Sequence, residues 1–549
     1  MRQVTKASVF IRLWQGAALW LTALALGGTA LFSLARNWTL DPAQTGDYPI
    51  LTGDSIGLNL LCGVGMGLLL LMPKLLAGLS RKARKKPLFS KWTAKHIRVL
   101  FPALIFAAGC LLGFFLRTAP RYDAATVQQA AARLLQGDFD FFRQPDGYFA
   151  AHPYQIGYLL YSCGVQALLG VFTSNPDGVN FAFTVLNSLW LGLASAALLR
   201  IVSHAAPGRA AVAQAGWMLL LCLPPLLSCT YQYGNLPGLC CMVWAAVLGE
   251  ESLGDRTPPG RRPAASAGML LLISLGVVLK PNVLIAALAL ALVFVGAGLR
   301  RGMTARTRAM CFGRGAAAVL MPLLLRKVIY GAFGSWVGFS FGDGLPMTAY
   351  FAMGLQEDSR SPGWFNGYVE TLWSALGQNP SAMKEAAARE LWQQVSALAT
   401  HPLHGIKFFL TKLTSQWGEF TFESQWIHRS ALNFGDQPKA LQNLLAGPGA
   451  ELPARLMKGY GLALYAGYAL GALRAFWRKE PLSPARLALL LTLAGAVAYH
   501  LLGEAKSEYA MIYLYPMIAL CCTFPGRKGP VHHQQPNPPK EIRSSTGVP

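Results

Sequence analysis

Long apolar stretches without a charged side chain constrain this chain more than any other feature. Gly57 to Met72, Val99 to Leu116, Gly268 to Leu279 and Leu487 to Ala498 are examples. Several such blocks extend to about the 20 residues a helix needs to cross a bilayer. Only 13% of the residues are charged, against roughly a quarter in soluble domains. Lipid is therefore the expected solvent. The net charge of +23 does not point to nucleic acid, because the basic residues sit in the gaps between apolar blocks. Arg81, Lys82, Arg84, Lys85 and Lys86 fill one gap, Arg256, Arg261 and Arg262 another, and Arg300, Arg301, Arg306, Arg308 and Arg314 a third. That is the signature of cytoplasmic loops. The ten cysteines fall mostly inside apolar segments and form no CxxC pair, so they read as small core residues. The first block, Val9 to Leu34, has the basic lead of a signal peptide but is long for one. It reads as a true span.

Thirteen apolar stretches stand out: 10–34, 54–79, 98–118, 154–173, 178–202, 209–228, 235–250, 264–280, 281–299, 315–333, 456–477, 484–502 and 508–524. Thirteen crossings with the amino terminus inside would put the Arg256 and Arg300 gaps on opposite sides of the membrane, against their charge. Demoting 154–173 to an interfacial helix restores agreement everywhere. The sequence thus predicts an all-α, multi-pass cell-membrane protein of about twelve spans with both termini cytoplasmic. It divides into an N-terminal hairpin and basic loop (1–97), a transmembrane core (98–333) with a first outward loop (119–177), a large outward helical loop (334–455), C-terminal spans (456–524) and a disordered tail (525–549).

The first outward loop carries the most chemistry. Val127, Ala130, Ala131, Leu134 and Leu135 recur at helical spacing and Gly137 ends the pattern, which puts Asp123 at a helix start. Asp123 reads either as a helix cap or as a catalytic carboxylate. Beyond the helix come Asp138, Phe139, Asp140, Phe141 and Phe142, then Tyr148, His152, Pro153 and Gln155.

These features resemble the membrane-embedded GT-C glycosyltransferases, especially bacterial relatives of the protein O-mannosyltransferases of glycosyltransferase family 39. The resemblance rests on Asp123 after an outgoing span, the helix DAATVQQAAARLLQGDF, the segment HPYQIGYLL, the junction LGVVLKPNVLI around Lys280, and GEAKSEYAMIYLYP near the end. It covers most of the chain from about residue 98, with the first two spans as an added hairpin. It implies transfer of a sugar, with inversion, from a polyprenyl-phosphate donor to a cell-envelope glycan, lipid or protein acceptor on the outer face. Asp123 would accept the acceptor proton or orient a divalent metal cation, and Lys280 and Lys506 would meet the donor phosphate. Lys280 equally fits a residue that snorkels to headgroups. Tyr122, His152, Gln155, Trp417, Glu419, Glu504 and Tyr509 are further candidates for substrate contact, although the aromatics near Trp417 also fit a membrane-interface belt. The chain departs from the family twice: Ala124 stands where many relatives have Glu after the Asp, and Glu508 where they commonly have Arg before the Tyr. Asp138 and Asp140 are candidates for the missing second carboxylate. The rival expectation is a transporter or flippase for a lipid-linked saccharide, although such proteins place ionisable groups at the midplane and these spans hold almost none there.

Overall fold

The computed structural model describes residues 6–41, 44, 47–82, 93–116, 118–171, 175–206, 208–254, 257–300, 302–431 and 438–524. The expected tail, and Arg84, Lys85, Lys86, Arg256 and Arg301 of the basic gaps, lie outside them. Two long helices, α1 (Lys6–Ala35) and α2 (Ile56–Lys82), flank a pair of strands, β1 (Arg36–Leu40) and β2 (Pro49–Gly53). Then follow α3 (Ala94–Leu116), α4 (Tyr122–Leu135), the one-turn α5 (Tyr148–Ala151), α6 (Ile156–Gly170), α7 (Pro176–Ala205), α8 (Arg209–Leu221), the short α9 (Leu223–Leu227), α10 (Asn235–Leu253), α11 (Arg262–Leu279), α12 (Leu284–Gly298) and α13 (Ala305–Val337). The expected outward segment 334–455 forms α14 (Met347–Gly354), α15 (Tyr368–Ala375), α16 (Pro380–Thr400), α17 (Pro402–Trp417), α18 (Ser424–Ala431) and α19 (Lys439–Ala446). The chain ends on α20 (Glu451–Trp477), α21 (Pro484–Leu502), α22 (Ser507–Met511) and α23 (Leu514–Thr523).

Nine helices among the described residues are long and apolar enough to cross a membrane, and the bent pair α8–α9 makes a tenth if it counts as one span. Many large apolar side chains on α2, α3 and α13 are exposed, as a lipid solvent allows. The fold is that of a helical, membrane-embedded protein. Three expected stretches are not among the ten. α6 has 15 residues, about 22 Å of helix, too short for a hydrocarbon core of roughly 30 Å. α20 carries Arg455, Lys458 and Arg474, and 508–524 divides into two short helices.

The fold is helical as expected, and among the described residues its one sheet is a two-stranded hairpin. β1 and β2 pair antiparallel, Arg36 opposite Gly53 and Leu40 opposite Pro49. Trp38 and Leu40 point inward while their neighbours do not, a period-two alternation too short to stand out between two apolar helices.

The bundle packs α3 on α7, α7 on α10, α10 on α11, α12 on α13 and α21, and α1 on α20. α4 buries Val127, Ala130, Ala131 and Leu134 against α6, as their spacing predicts, whereas Leu135, expected on the same face, is exposed at the helix end. Gly137 then leaves the helix at φ +77°, a left-handed turn that glycine adopts without strain.

Candidate functional site

Asp123 is not the cap of α4. The capping position is Arg121, and Asp123 lies in the first helical turn, where an acid suits the helix dipole. Its Oδ2 instead accepts a hydrogen bond of 3.4 Å from the hydroxyl of Tyr233, which in turn accepts one from the Gln155 amide. Tyr122, just before it, is held at φ +50°, a backbone state that costs a non-glycine residue on the order of 1–3 kcal/mol. The Tyr122 ring lies flat on Trp426, with centroids 5.6 Å apart and planes 5° from parallel.

Lys280 enters from the junction between α11 and α12. Its backbone is extended at φ −147°, and its ammonium lies 4.3 Å from the ring centroid of Tyr233 and 5.1 Å from that of Tyr509. Those two cation–π contacts are its side-chain partners among the described residues, and Lys280 is 5% exposed. Close backbone approach makes this burial possible. A Cβ on Gly234 would lie 2.1 Å from the Leu279 carbonyl oxygen, and one on Gly238 would lie 2.9 Å from Lys280 Cβ. The Tyr509 hydroxyl donates to Glu504 Oε2 at 3.5 Å. A continuous string therefore runs Asp123, Tyr233, Lys280, Tyr509, Glu504, from four separate stretches of sequence.

Burial pushes the Glu504 carboxyl up to about 7; Lys506 opposes that shift, and the charges of Asp47, Glu370 and Asp123 add to it. Beside Asp123, His152 Nδ1 is buried without a hydrogen-bond partner among the described residues, and the Tyr148 hydroxyl lies within reach of Asp123 and Gln155. Burial lowers the His152 pKa against the opposing pull of Asp123. Buried polar atoms are normally paired, so the open Nδ1 of His152 marks a place that a polar guest can fill.

Other candidates sit elsewhere. Asp138 pairs with Arg133 at 3.4 Å and Asp140 with Arg143 at 2.9 Å, both beyond the far end of α4, about 20 Å of helix from Asp123. They do not supply the second carboxylate. The carboxylates on which the charge of Asp123 acts are those of Glu504 and Glu370, both raised chiefly by burial. Lys506 is not open to a phosphate, since it already faces Asp47 at 2.7 Å, Glu423 at 3.6 Å and Glu508 at 3.7 Å. Trp417 is fully buried and stacks on Tyr513, because α17 packs its inner face on α21 and α22. Glu419 is likewise buried. It accepts from Thr421, from the Glu423 amide at 2.9 Å and from the Ser507 hydroxyl at 3.0 Å, which is a brace for the strained Phe422–Glu423 backbone at φ +49° and +61°. Glu508 accepts from the Asn235 amide.

Tyr233, Glu370 and Asp47 escape the sequence reading. For Tyr233 a signal exists: the polar run Tyr231, Gln232, Tyr233, Gly234, Asn235 interrupts an otherwise apolar stretch. Among the described residues no three His, Cys, Asp or Glu side chains converge as a metal cage, so no step is derived through a metal. The arrangement can hold an anion against Lys280, accept a proton at Asp123 and bind hydroxyl groups between them. Comparison with protein-family models, with curated proteins and with solved structures finds no match to this chain.

Proposed function

We propose that this chain is an inverting membrane glycosyltransferase that moves a sugar from a polyprenyl-phosphate donor to an acceptor on the outer face of a cell membrane. In this reading the chain crosses twelve times with both termini cytoplasmic, the ten candidate spans being completed by α20 and the α22–α23 pair. One observation carries the reading. Among the described residues Lys280 is a buried cation whose direct side-chain contacts are the rings of Tyr233 and Tyr509, and Tyr233 also holds Asp123. A buried ammonium with no carboxylate in direct contact is costly in a membrane protein, and an anionic ligand set against it adds to the field of Glu508, Asp123 and Glu504.

The step follows from that geometry. The donor phosphate rests against Lys280, and its lipid chain leaves between the helices into the bilayer. Asp123 takes the proton of the acceptor hydroxyl as that oxygen attacks the anomeric carbon. The bond from that carbon to the phosphate oxygen breaks, and the electron pair departs with the polyprenyl phosphate, whose charge Lys280 meets. Tyr233 and Gln155 keep the carboxylate oriented. Tyr148, beside Asp123, and His152, with its open Nδ1, face the sugar hydroxyls.

Membranes supplied with labelled polyprenyl-phosphate sugars test this reading. Asp123→Asn should lower transfer by about 100-fold or more, the scale of a lost general base, and Lys280→Met should weaken use of the donor. Equal transfer by wild type and Asp123→Asn would remove the assignment. Unimpaired movement of labelled lipid across the bilayer without any transfer would favour the flippase.

A further inference from the structure

A cleft of about 470 Å³ opens between the β1–β2 hairpin, α18 and the start of α20, lined among others by Asn37, Thr52, Gln425, Trp426, Arg429 and Arg455. Its size falls within the roughly 300–1,000 Å³ of small-molecule sites. It adjoins the site above through one wall, since Trp426 lines the cleft and stacks on Tyr122, the residue next to Asp123.

The charges lining it are matched, with one exception. Asp54 meets Lys458 at 2.5 Å and Arg455 at 3.7 Å, and Arg455 also pairs with Glu451. Glu419 is engaged by Thr421 and Ser507. Arg429, half-buried in the cleft wall, has no carboxylate partner among the described residues. A guanidinium presents a fixed fork of donors that fits a carboxylate or phosphate with two parallel hydrogen bonds. Asn37, and the acceptor sites left on Thr52 and Gln425, whose donors reach the Asn37 and Ala450 carbonyls, offer the mixed polar contacts that sugar hydroxyls need.

We propose that this cleft binds an anionic saccharide, its carboxylate or phosphate on Arg429, as the acceptor whose hydroxyl reaches past the Tyr122–Trp426 stack to Asp123. The proposal rests on the glycosyltransferase reading for the word acceptor, but the binding itself does not. It also gives the hairpin a purpose. β1 and β2 supply one wall of the cleft, and Asp47 beyond them holds Lys506.

The test uses the full chain in neutral-lipid nanodiscs, titrated by calorimetry with a glucuronic-acid-containing disaccharide and with a neutral disaccharide of the same linkage. The acidic sugar should bind wild type at least about tenfold more tightly than Arg429→Gln, the factor expected for a charged hydrogen bond of about 1.4 kcal/mol or more. Arg429→Lys, which keeps the charge and loses the fork, should fall between them, and thermal melting of each variant separates lost binding from lost folding. Equal affinity for both sugars, or no difference between wild type and Arg429→Gln, overturns the proposal. A second arm adds phosphatidylglycerol to the nanodiscs. If Arg429 affects retention of that lipid and not of the sugar, the cleft is a headgroup site and the proposal fails. Should Asp123→Asn leave transfer intact while Arg429 still governs sugar binding, the catalytic reading falls and the cleft stands.

Discussion

Lys280 combines two properties that rarely coexist, burial at a helix junction and a positive charge. Burial lowers its pKa to about 8; Glu508 pulls it back upward, Lys506 presses it down, and Asp123 and Glu504 raise it. With the folded value below the unfolded one, the folded chain holds fewer protons between about pH 8 and the ordinary lysine value near 10.4. Stability gained from this group therefore rises with pH across that window, while the charge that meets the donor disappears. Donor KM should climb as pH passes about 8 in the wild type. It should stay flat to higher pH in Lys280→Arg, whose guanidinium keeps its proton. A KM that ignores pH between about 7 and 9.5 in the wild type would show that Lys280 does not meet the phosphate. At this scale the sequence was readable where a polar residue interrupts an apolar run, as Asp123, Gln155, Lys280 and Glu504 do. It was unreadable where the partner is a tyrosine from a distant loop. Nothing in the spacing of Tyr233 ties it to Asp123, 110 positions away.

Among the elements, α17 acts as a clasp on the site. Its Lys412, fully buried, donates to the carbonyl of Gly354 and, at 2.6 Å, to that of Gly503. Two glycines crowd around this knot. A Cβ on Gly354 would lie 2.4 Å from the Gly503 carbonyl carbon, and one on Gly363 2.6 Å from Lys412 Nζ. The Ala505 amide then donates to the Gly363 carbonyl at 2.7 Å, and Trp364 to Ser415 of α17 at 2.8 Å. Glu504 lies between two pinned residues, so the clasp fixes a carboxylate of the site. Lys412→Met leaves two buried carbonyls without a donor, a loss of about 1–3 kcal/mol. Hydrogen exchange should quicken in 355–367 and 503–507 and stay unchanged in the β1–β2 hairpin. Uniform protection in the variant would show that the knot holds nothing. Periodicity exposed α4 and its buried face because Val127, Ala130, Ala131 and Leu134 need only local spacing. The clasp was hidden because its strength lies in carbonyls and glycines, which look alike wherever they occur.

For the molecule as a whole, sidedness decides whether a lipid-borne donor and an outer-face acceptor can meet. α13 gives an internal ruler. Its 33 residues span about 50 Å, enough to cross a bilayer, with Arg308 in the first turn. At the other end, Arg143 donates to the Val337 carbonyl at 2.8 Å, which places the loop around Gln144 at the opposite end of the same helix. The basic residues Arg300 to Arg314 gather at the Arg308 end, and a cytoplasmic excess of Lys and Arg is what orients such helices. In the proposed reading the segment that carries Asp123, Asp140 and Gln144 faces outward. Both test positions are exposed, so single substitutions there should not disturb packing. In intact cells an impermeant maleimide should label Gln144→Cys and spare Arg308→Cys until the membrane is opened. Both results reversed would invert the protein and put Asp123 on the cytoplasmic side. Labelling of both positions from outside would mean that α13 does not cross, and the twelve-span reading would fail with it.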